Sequence, residues 1–221
     1  GVLSVGATDF TDVKAAYSSF GTNVDVSAPG GDQAFAHPIV STYFPSTYAS
    51  MVGTSMASPL AAGICALVKA RNPSFSGVQA GEQVRITCDN IDVQNPAYHD
   101  MLGNGRVNAL KALTVVSPSL RVSSFFASDS AGGNNNGAIE SNETFTLVID
   151  VTNHLQPTSP GATITLTTTD TSVQFLNTVF PIGTLATNGS ANNAGAPFQV
   201  HVKAGTSQAH NVQFKLVMRD G

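Results

Sequence analysis

The hydrophobic pattern of this chain changes its period once, near Ser117-Pro118. Upstream, Ala- and Gly-rich segments have the apolar spacing of helices, whereas downstream Thr, Ser, Asn and Val alternate with period two. The sequence therefore predicts an α/β domain over residues 1–116 and an all-β domain over residues 117–221.

Short strands and two helices are predicted in the upstream part. The apolar runs from Val2 to Val5 and from Val24 to Val26 favour strands. Small and apolar residues occupy nearly every position from Ala57 to Lys69, which is typical of a helix buried on all sides. Ser76 can cap a second helix over about Val78 to Thr87.

Downstream, four segments alternate apolar with polar residues and predict strands with one buried face: 144–152, 162–168, 198–202 and 212–218. Gly, Asn and Pro clusters separate them, as in a β-sandwich. Another strand could follow Asp220-Gly221, and the chain opens directly on an apolar run, so we expect both ends to be cut.

Composition excludes several classes of partner. A net charge of -4 and a pI of about 5.6 leave no basic surface for nucleic acid or anionic membrane. Apolar stretches such as Ala61 to Val68 are far shorter than the roughly 18 residues of a membrane span. Cys65 and Cys88 are too few for a disulfide framework and lack zinc-site spacing, so we expect buried thiols.

The segment Gly53-Thr-Ser-Met-Ala-Ser-Pro59 places Ser55 at the start of the first predicted helix. The free N–H groups of a helix N-terminus can stabilise an oxyanion that forms when a serine oxygen attacks a carbonyl. Gly53 would let a substrate backbone approach, and Thr54 lies beside it. The alternative is that Ser55 merely caps the helix. The pattern predicts Ser55 as a nucleophile, with Gly53 and Thr54 around the oxyanion.

The same segment resembles the nucleophile signature of the subtilisin-like serine proteases, the subtilases of peptidase family S8. Further similarity lies in the run from Val5 to Gly30 and in Gly103-Asn-Gly-Arg-Val-Asn-Ala109. The resemblance covers about residues 1–115 and implies the C-terminal half of a three-layer parallel-sheet domain. One departure is Leu60, where the family usually has His.

The chain lacks the two other motifs that carry a subtilase's catalytic triad. Subtilases place their triad in the order Asp, His, Ser, and no Asp-Ser/Thr-Gly or His-Gly-Thr motif occurs in residues 1–221. The resemblance implies that the Asp, the His and the oxyanion Asn lie upstream of Gly1. None of the histidines, His37, His99, His154, His201 and His210, has the family's context. Without a base a serine hydroxyl is a poor nucleophile, so the chain alone is expected to be inactive.

The downstream part resembles an immunoglobulin-like accessory domain of secreted bacterial peptidases, through the run Asn134 to Thr144, the segment Ile182-Gly-Thr-Leu185 and Pro197-Phe198. No cofactor is required for serine chemistry, but hard oxygen donors of the kind that calcium prefers cluster in one loop: Asp129, Asn134, Asn136, Glu140 and Glu143. A plain Asn-Gly turn with solvated acids is the alternative. Asp25 is a weaker cation candidate, by resemblance alone.

These observations predict a fragment of a secreted bacterial endopeptidase that hydrolyses peptide bonds through an acyl-enzyme on Ser55, with protein or peptide as substrate. A pseudoprotease scaffold and a non-catalytic adhesion or binding module remain open. Because a subtilase sheet is covered on both faces, half of it should expose apolar surface, including the helix from Ala57 to Lys69. We therefore expect the fragment to self-associate or to fold differently from a subtilase.

Overall fold

The chain divides between Val116 and Ser117 into two units. The computed structural model describes residues 2–32, 34 and 36–221. Helices occur in the first unit, and none within the described residues is long and apolar enough to cross a membrane. The second unit is built from strands.

In the first unit the strands come first, and the helices begin within the segment from Gly53 to Pro59. The elements are β1 (Val5–Thr8), β2 (Val26–Pro29), β3 (Ile39–Tyr43), β4 (Thr47–Met51), α1 (Thr54–Arg71), α2 (Gly77–Ile86), a 3-10 turn (Pro96–Tyr98) and α3 (Ala109–Thr114). Strands β1 and β2 are parallel, with Val5 opposite Val26, and β3 and β4 form an antiparallel hairpin.

The two parallel strands lie slightly later in the chain than the sequence indicates. Ser4 N–H donates to an Asp25 carboxylate oxygen at 2.9 Å, and the Ser4 carbonyl accepts from the amides of Asp25 and Val26. This cluster precedes regular pairing, which begins at Val5 and Val26. The expected strands at residues 2–5 and 24–26 are therefore corrected to Val5–Thr8 and Val26–Pro29.

Helix α1 buries one face only, so burial on all sides is not found, whereas the expected exposure of apolar surface on this helix is found. Its buried residues are Ala57, Ala61 and Val68, and it packs against β1, β2, α2 and α3. These neighbours cover one side of the helix, whereas Leu60 and Leu67 are 40% and 51% exposed. The helix begins three residues earlier than predicted because Gly53 serves as its N-cap.

Helix α2 begins as the sequence indicates. The Ser76 hydroxyl accepts from the Gln79 amide at 3.2 Å, and the Gln79 side chain accepts from the Ser76 amide at 2.8 Å. This capping box satisfies two amides of the first turn that have no partner within the helix. The predicted cap is confirmed.

The second unit consists of two antiparallel sheets. Its strands are β5 (Leu120–Ser128), β6 (Thr144–Asn153), β7 (Thr163–Thr167), β8 (Val173–Asn177), β9 (Val179–Pro181), β10 (Ser190–Asn192), β11 (Phe198–Val202) and β12 (Lys215–Arg219). The larger sheet has the order β10-β6-β11-β8 with β5 on β6, and the smaller sheet has the order β12-β7-β9. Apolar residues of both sheets form one core.

The four predicted strands of this unit correspond to β6, β7, β11 and β12, with β12 beginning three residues late. The alternation does not predict β8, β9 or β10, nor does it predict β5, which pairs with β6 over its whole length. Its alternation is interrupted where the register shifts between Val122 and Ser124, so two runs of opposite phase hide the period of two.

Candidate active site

Ser55 lies in the first turn of α1, and its side chain is exposed. The preceding N-cap, Gly53, has φ 150° and ψ 165°, a backbone conformation that residues with side chains rarely adopt. A Cβ at this position would meet nothing closer than 3.7 Å. The structure thus indicates that glycine is needed here for its conformation rather than to make room within the chain.

The amide of Ser55 is available to a ligand. The Gly53 carbonyl accepts from the amides of Met56 and Ala57, at 3.0 and 3.3 Å, so these two donors are used within the turn. Within the described residues, no acceptor is found for the Ser55 amide. A hydroxyl nucleophile and an unpaired amide on one residue are the arrangement that stabilises a tetrahedral oxyanion.

The two glycines that follow β2 hold the turn at Gly53 in place. Gly53 N–H donates to the Gly30 carbonyl at 2.9 Å, and the Tyr17 hydroxyl donates to the Gly31 carbonyl at 2.7 Å. A Cβ on Gly30 would lie within 2.8 Å of the Gly53 carbonyl oxygen and the Tyr17 hydroxyl, so only glycine allows this approach. Burial raises the pKa of Tyr17 above its ordinary value, which keeps the phenol protonated as a donor.

Tyr17 and Gly30 are site residues to which sequence reasoning assigned no role. Both lie in runs that resemble the family, Tyr17 to Gly21 and Val24 to Gly30. Nothing local to either run indicates the hydrogen bond between Gly30 and Gly53, or the bond from Tyr17 to the neighbouring Gly31, because the partners are far apart in the sequence.

A cavity of about 340 Å³ opens beside Ser55 between α1 and the β3–β4 hairpin. Its lining is mostly apolar and includes Ile39, Tyr43, Met51, Met56 and Leu60. Such a cavity can receive an apolar side chain of a bound peptide next to the serine hydroxyl.

No histidine in the described part of the chain hydrogen-bonds to Ser55. The histidine rings contact other residues. His37 Nδ1 lies 2.9 Å from Asp32 Oδ2, and its ring stacks on Phe10 at a centroid distance of 3.7 Å. His210 Nε2 lies 2.8 Å from Asp170 Oδ2. His99 Nδ1 lies 3.0 Å from an Asp100 oxygen, and His201 Nδ1 lies 3.1 Å from Thr144 Oγ1.

The segment from Gly103 to Ala109 closes the first unit through an ionic network. Arg106 Nη1 contacts Asp12 at 2.9 Å and Nη2 contacts Asp89 at 2.7 Å, while Lys111 Nζ contacts Asp89 at 2.6 Å. Hydrogen bonds from Lys111, Asn108 and Arg106 lower the pKa of Asp89 to about 2. This network joins distant segments of the chain without touching Ser55.

The five oxygen-bearing residues proposed for calcium gather in one loop. Asn134 and Asn136 donate their side-chain amides to Glu140 Oε2 at 2.7 and 3.2 Å. The carboxylates already accept backbone amides: Glu143 from Asn134 and Glu140, and Asp129 from Gly137. An ion here would have to share oxygens that now hold the turn together. Asp25, the weaker candidate, accepts the Ser4 amide.

A different group has the closest set of ligand atoms among the described residues. Asp92, His99 and Asp100 each offer one ligand atom, and these atoms lie within 4.8 Å of one another. Asp129, Glu140 and Glu143 do not form such a group. His99 and Asp100 are exposed, and His99 Nδ1 lies 3.0 Å from an Asp100 oxygen, so this direct contact accounts for the proximity of the two side chains.

The two cysteines are free and partly buried. Burial raises the pKa of Cys88 to about 12 and also raises the pKa of Cys65. Both thiols are therefore protonated at neutral pH and unsuited to nucleophilic attack. Ser55 remains the nucleophile candidate of this unit.

Residues 1–105 match the model of the subtilase family, peptidase S8. This match supports the resemblance on which the sequence prediction of a subtilisin-like serine protease rests. It ends close to the boundary of the first unit, which closes at Val116.

Two relatives illustrate the similarity. Subtilisin Savinase of Lederbergia lenta is 42% identical over 107 residues, which cover 48% of this chain and 36% of that protein. Thermitase of Thermoactinomyces vulgaris is 40% identical over 111 residues, covering 50% and 36%. The chain therefore spans about a third of the length of these curated relatives. A solved protease from Pseudoalteromonas arctica PAMC 21717 is 33% identical, with a TM-score of 0.46, covering 51% of this chain and 35% of that one.

Proposed function

We propose that residues 1–116 are the nucleophile-bearing part of a subtilisin-like serine endopeptidase, with protein or peptide as substrate. The observation that supports this best is the exposed Ser55 hydroxyl beside its own unpaired amide, on a turn held by Gly30 and Gly53. The subtilase match over residues 1–105 points to the same chemistry.

In this chemistry Ser55 Oγ attacks the carbonyl carbon of the scissile peptide while a base removes the hydroxyl proton. The Ser55 amide donates to the oxygen that becomes negatively charged. The C–N bond then breaks, the base returns the proton to the leaving amine, and water hydrolyses the resulting ester. The base, its carboxylate partner and the second oxyanion donor would come from polypeptide preceding the motif, as in the subtilase order Asp, His, Ser.

The chain of residues 1–221 should therefore show no hydrolase activity. A fluorophosphonate probe reacts with activated serines, so we expect the chain to remain unlabelled, like a Ser55→Ala variant, with Subtilisin Savinase as a labelled control. Stoichiometric labelling that disappears in Ser55→Ala would show that a base within residues 1–221 activates the serine.

Two other functions would use the same fold. In a pseudoprotease the preceding sequence would lack the Asp or the His, and in an adhesion or binding module the second unit alone would carry the activity. Sequencing upstream of Gly1 distinguishes them: Asp-Ser/Thr-Gly followed by His-Gly-Thr supports the peptidase, and their absence removes it.

For the second unit we propose an immunoglobulin-like accessory role in an extracellular bacterial enzyme. The support is its two antiparallel sheets around one apolar core and its position directly after the subtilase match. The role is one of stability, substrate approach or surface attachment rather than a reaction.

Calcium binding to the loop from Asp129 to Glu143 is a separate proposal. Its support is the convergence of Asn134, Asn136 and Glu140 through hydrogen bonds. Calcium at a hundred times its dissociation constant should stabilise the folded state by about 2.7 kcal/mol. Thermal melting of the chain in millimolar calcium, then in chelator, measures this, and an unchanged midpoint contradicts the proposal. Glu140→Gln should reduce the shift.

Self-association is proposed for the exposed face of α1. Leu60 and Leu67 lie there with roughly half of their surface in water, so burying the remainder of each is worth roughly 1 kcal/mol, about half of the value for a fully exposed leucine. We expect light scattering at micromolar concentration to report oligomers, and Leu60→Lys with Leu67→Lys to reduce them. Val93→Lys, at a loop position 89% exposed, is the control. A monomer at these concentrations would contradict the proposal.

A further inference from the structure

An open cavity of about 670 Å³ lies at one end of the core of the second unit. Its floor contains Phe145 near the start of β6, Val173 at the start of β8 and Val202 at the end of β11, each at most 9% exposed. Val173 and Val202 are opposite each other in the sheet. The ring of Phe214, which also lines the cavity, lies 6.3 Å from the rings of both Phe145 and Phe175. The floor of the cavity is therefore part of the apolar core.

The loop between β11 and β12 forms another wall of the cavity. It is fixed near its two ends, because Lys203 N–H donates to the Ser172 carbonyl at 2.8 Å and His210 Nε2 lies 2.8 Å from Asp170 Oδ2. In the part of the chain that the structure describes, no hydrogen bond joins residues 207–209 to another segment. A ligand can therefore enter beneath these residues without breaking a hydrogen bond of the loop.

Segments internal to the chain form this cavity. Its lining comes from residues 139–145, 173 and 202–214. Strand β12 begins beside the cavity and leads away from it, since Asp220 Oδ1 accepts from the Ser159 amide at 2.6 Å in a segment that does not line the cavity.

The rim of the cavity carries negative charge. Among the described residues that line it, Glu140 has the only carboxylate, and none is Lys or Arg. Glu140 Oε2 accepts from the side-chain amides of Asn134 and Asn136, whereas Oε1 has no hydrogen-bond partner within the described chain. His210, which also lines the cavity, faces Asp170, so its positive charge when protonated is balanced by that carboxylate. A cationic group is therefore favoured at the rim over an anionic one.

We propose that this cavity binds a small molecule in which an apolar ring system carries a protonated amine. The rings would lie on the floor formed by Phe145, Val173 and Val202, and the ammonium group would donate to Glu140 Oε1. Cavities of about 300 to 1,000 Å³ accept ligands of drug size, so a two-ring molecule with a short amine chain fits the volume. The proposal is independent of the peptidase activity proposed for Ser55 and of calcium binding.

Dansylcadaverine is a probe of this chemistry, because its naphthalene rings carry an alkyl chain with a terminal ammonium group. Dansylaminohexanoate has the same rings and the same chain but ends in a carboxylate. Fluorescence titration with the whole chain, up to about 0.5 mM and in chelator so that calcium does not occupy Glu140, measures both affinities. We expect dansylcadaverine to gain blue-shifted emission and to bind about five-fold or more tightly than the anionic probe.

Matched variants locate the bound probe. Val212 lines the cavity, whereas Val179 of β9 is 45% exposed and does not line it. Val212→Phe fills part of the cavity and should weaken dansylcadaverine binding about ten-fold or more, and Val179→Phe less than about two-fold. Glu140→Gln should remove the preference for the cationic probe. Asp150→Asn removes a charge on β6 outside the cavity and should keep that preference.

Circular dichroism melting establishes that the variants fold like the wild type. If Val212→Phe fails this check, Ile139→Ser replaces it, since Ile139 lines the cavity and is 44% exposed. Leu176→Ser is its control, because Leu176 is 54% exposed and lies outside the cavity. Ile139→Ser should weaken binding of dansylcadaverine more than Leu176→Ser does.

Three results would overturn the proposal. These are no binding of dansylcadaverine up to about 0.5 mM protein, equal affinity of the wild type for the two probes, and equal effects of the variants inside and outside the cavity. The last result would place the probe on another apolar surface, such as the cavity beside Ser55.

Discussion

The two units bury different side chains in their main cores. In the first unit the buried cluster contains seven alanines and four valines: Ala7, Ala15, Val26, Ala28, Ala57, Ala61, Val68, Ala80, Val84, Val107 and Ala112. In the second unit it contains no alanine and consists of larger residues: Phe145, Ile149, Val151, Ile164, Leu166, Val173, Phe180, Phe198, Val200 and Val202.

Because hydrophobic stabilisation grows with the apolar area removed from water, the second core supplies more free energy per residue. The first unit instead depends on close backbone approach, as at Gly30 and Gly105, and on polar networks such as Arg106 with Asp89. Small residues let elements lie close together, but they leave little apolar area to bury. The difference predicts which substitutions damage each unit.

The largest expected effect is in the second unit. Phe198 is fully buried, and Phe198→Ala should lower the free energy of unfolding of this unit by about 3 to 5 kcal/mol. Phe126→Ala, at an exposed position, should change it by less than about 0.5 kcal/mol. Urea unfolding followed by circular dichroism measures both. Similar losses of unfolding free energy in the two variants would show that burial of large apolar side chains does not dominate the stability of the second unit.

A glycine is the corresponding weak point of the first unit. Gly105 has φ +107°, and a Cβ there would lie 2.0 Å from the Asp89 carbonyl oxygen. Gly105→Ala should therefore destabilise this unit by about 2 to 4 kcal/mol. Gly63→Ala is the matched control, because no atom lies within 4 Å of the added methyl and alanine favours the helix. If Gly105→Ala does not lower the free energy of unfolding, close approach of the backbone does not limit packing in the first unit.

The ionic network around Asp89 should make the stability of the first unit depend on pH. Asp89 has a folded pKa of about 2, below the ordinary value of roughly 3.9 for an unfolded chain. Its contribution is therefore complete above about pH 5 and disappears as pH falls through the unfolded pKa towards 2. Asp89→Asn should lower the stability of the first unit by about 1 to 2 kcal/mol at pH 7, after allowance for its partial exposure.

The difference between wild type and Asp89→Asn should shrink progressively from about pH 5 to pH 2. Thermal melting at several pH values gives this profile. A constant difference across that range would show that the aspartate acts through packing rather than through its charge.

The smallest expected effect is at a helix cap. Ser76→Ala removes the acceptor for the Gln79 amide and should reduce the stability of the first unit by about 1 kcal/mol. Ser74→Ala, two residues earlier and exposed, provides the control and should be neutral. Equal effects in a urea titration would contradict the role of the capping box.

Local chemistry is what the sequence determined by itself. The alternation of apolar residues predicted β6 and β11, Ser76 predicted a capped helix, and the segment from Gly53 to Pro59 predicted a serine at a helix start. Each of these depends on neighbours a few residues away, so a single window of sequence contains the required information. The change of period at Ser117-Pro118 also lies where the two units divide.

Only the tertiary structure decided which surfaces are covered. The pattern of α1 indicated burial all round, but neighbours cover one face only. Likewise, Tyr17 and Gly30 position Gly53 through contacts that join separate strands and loops. Burial is a property of what lies opposite a residue, and that depends on how distant segments pair.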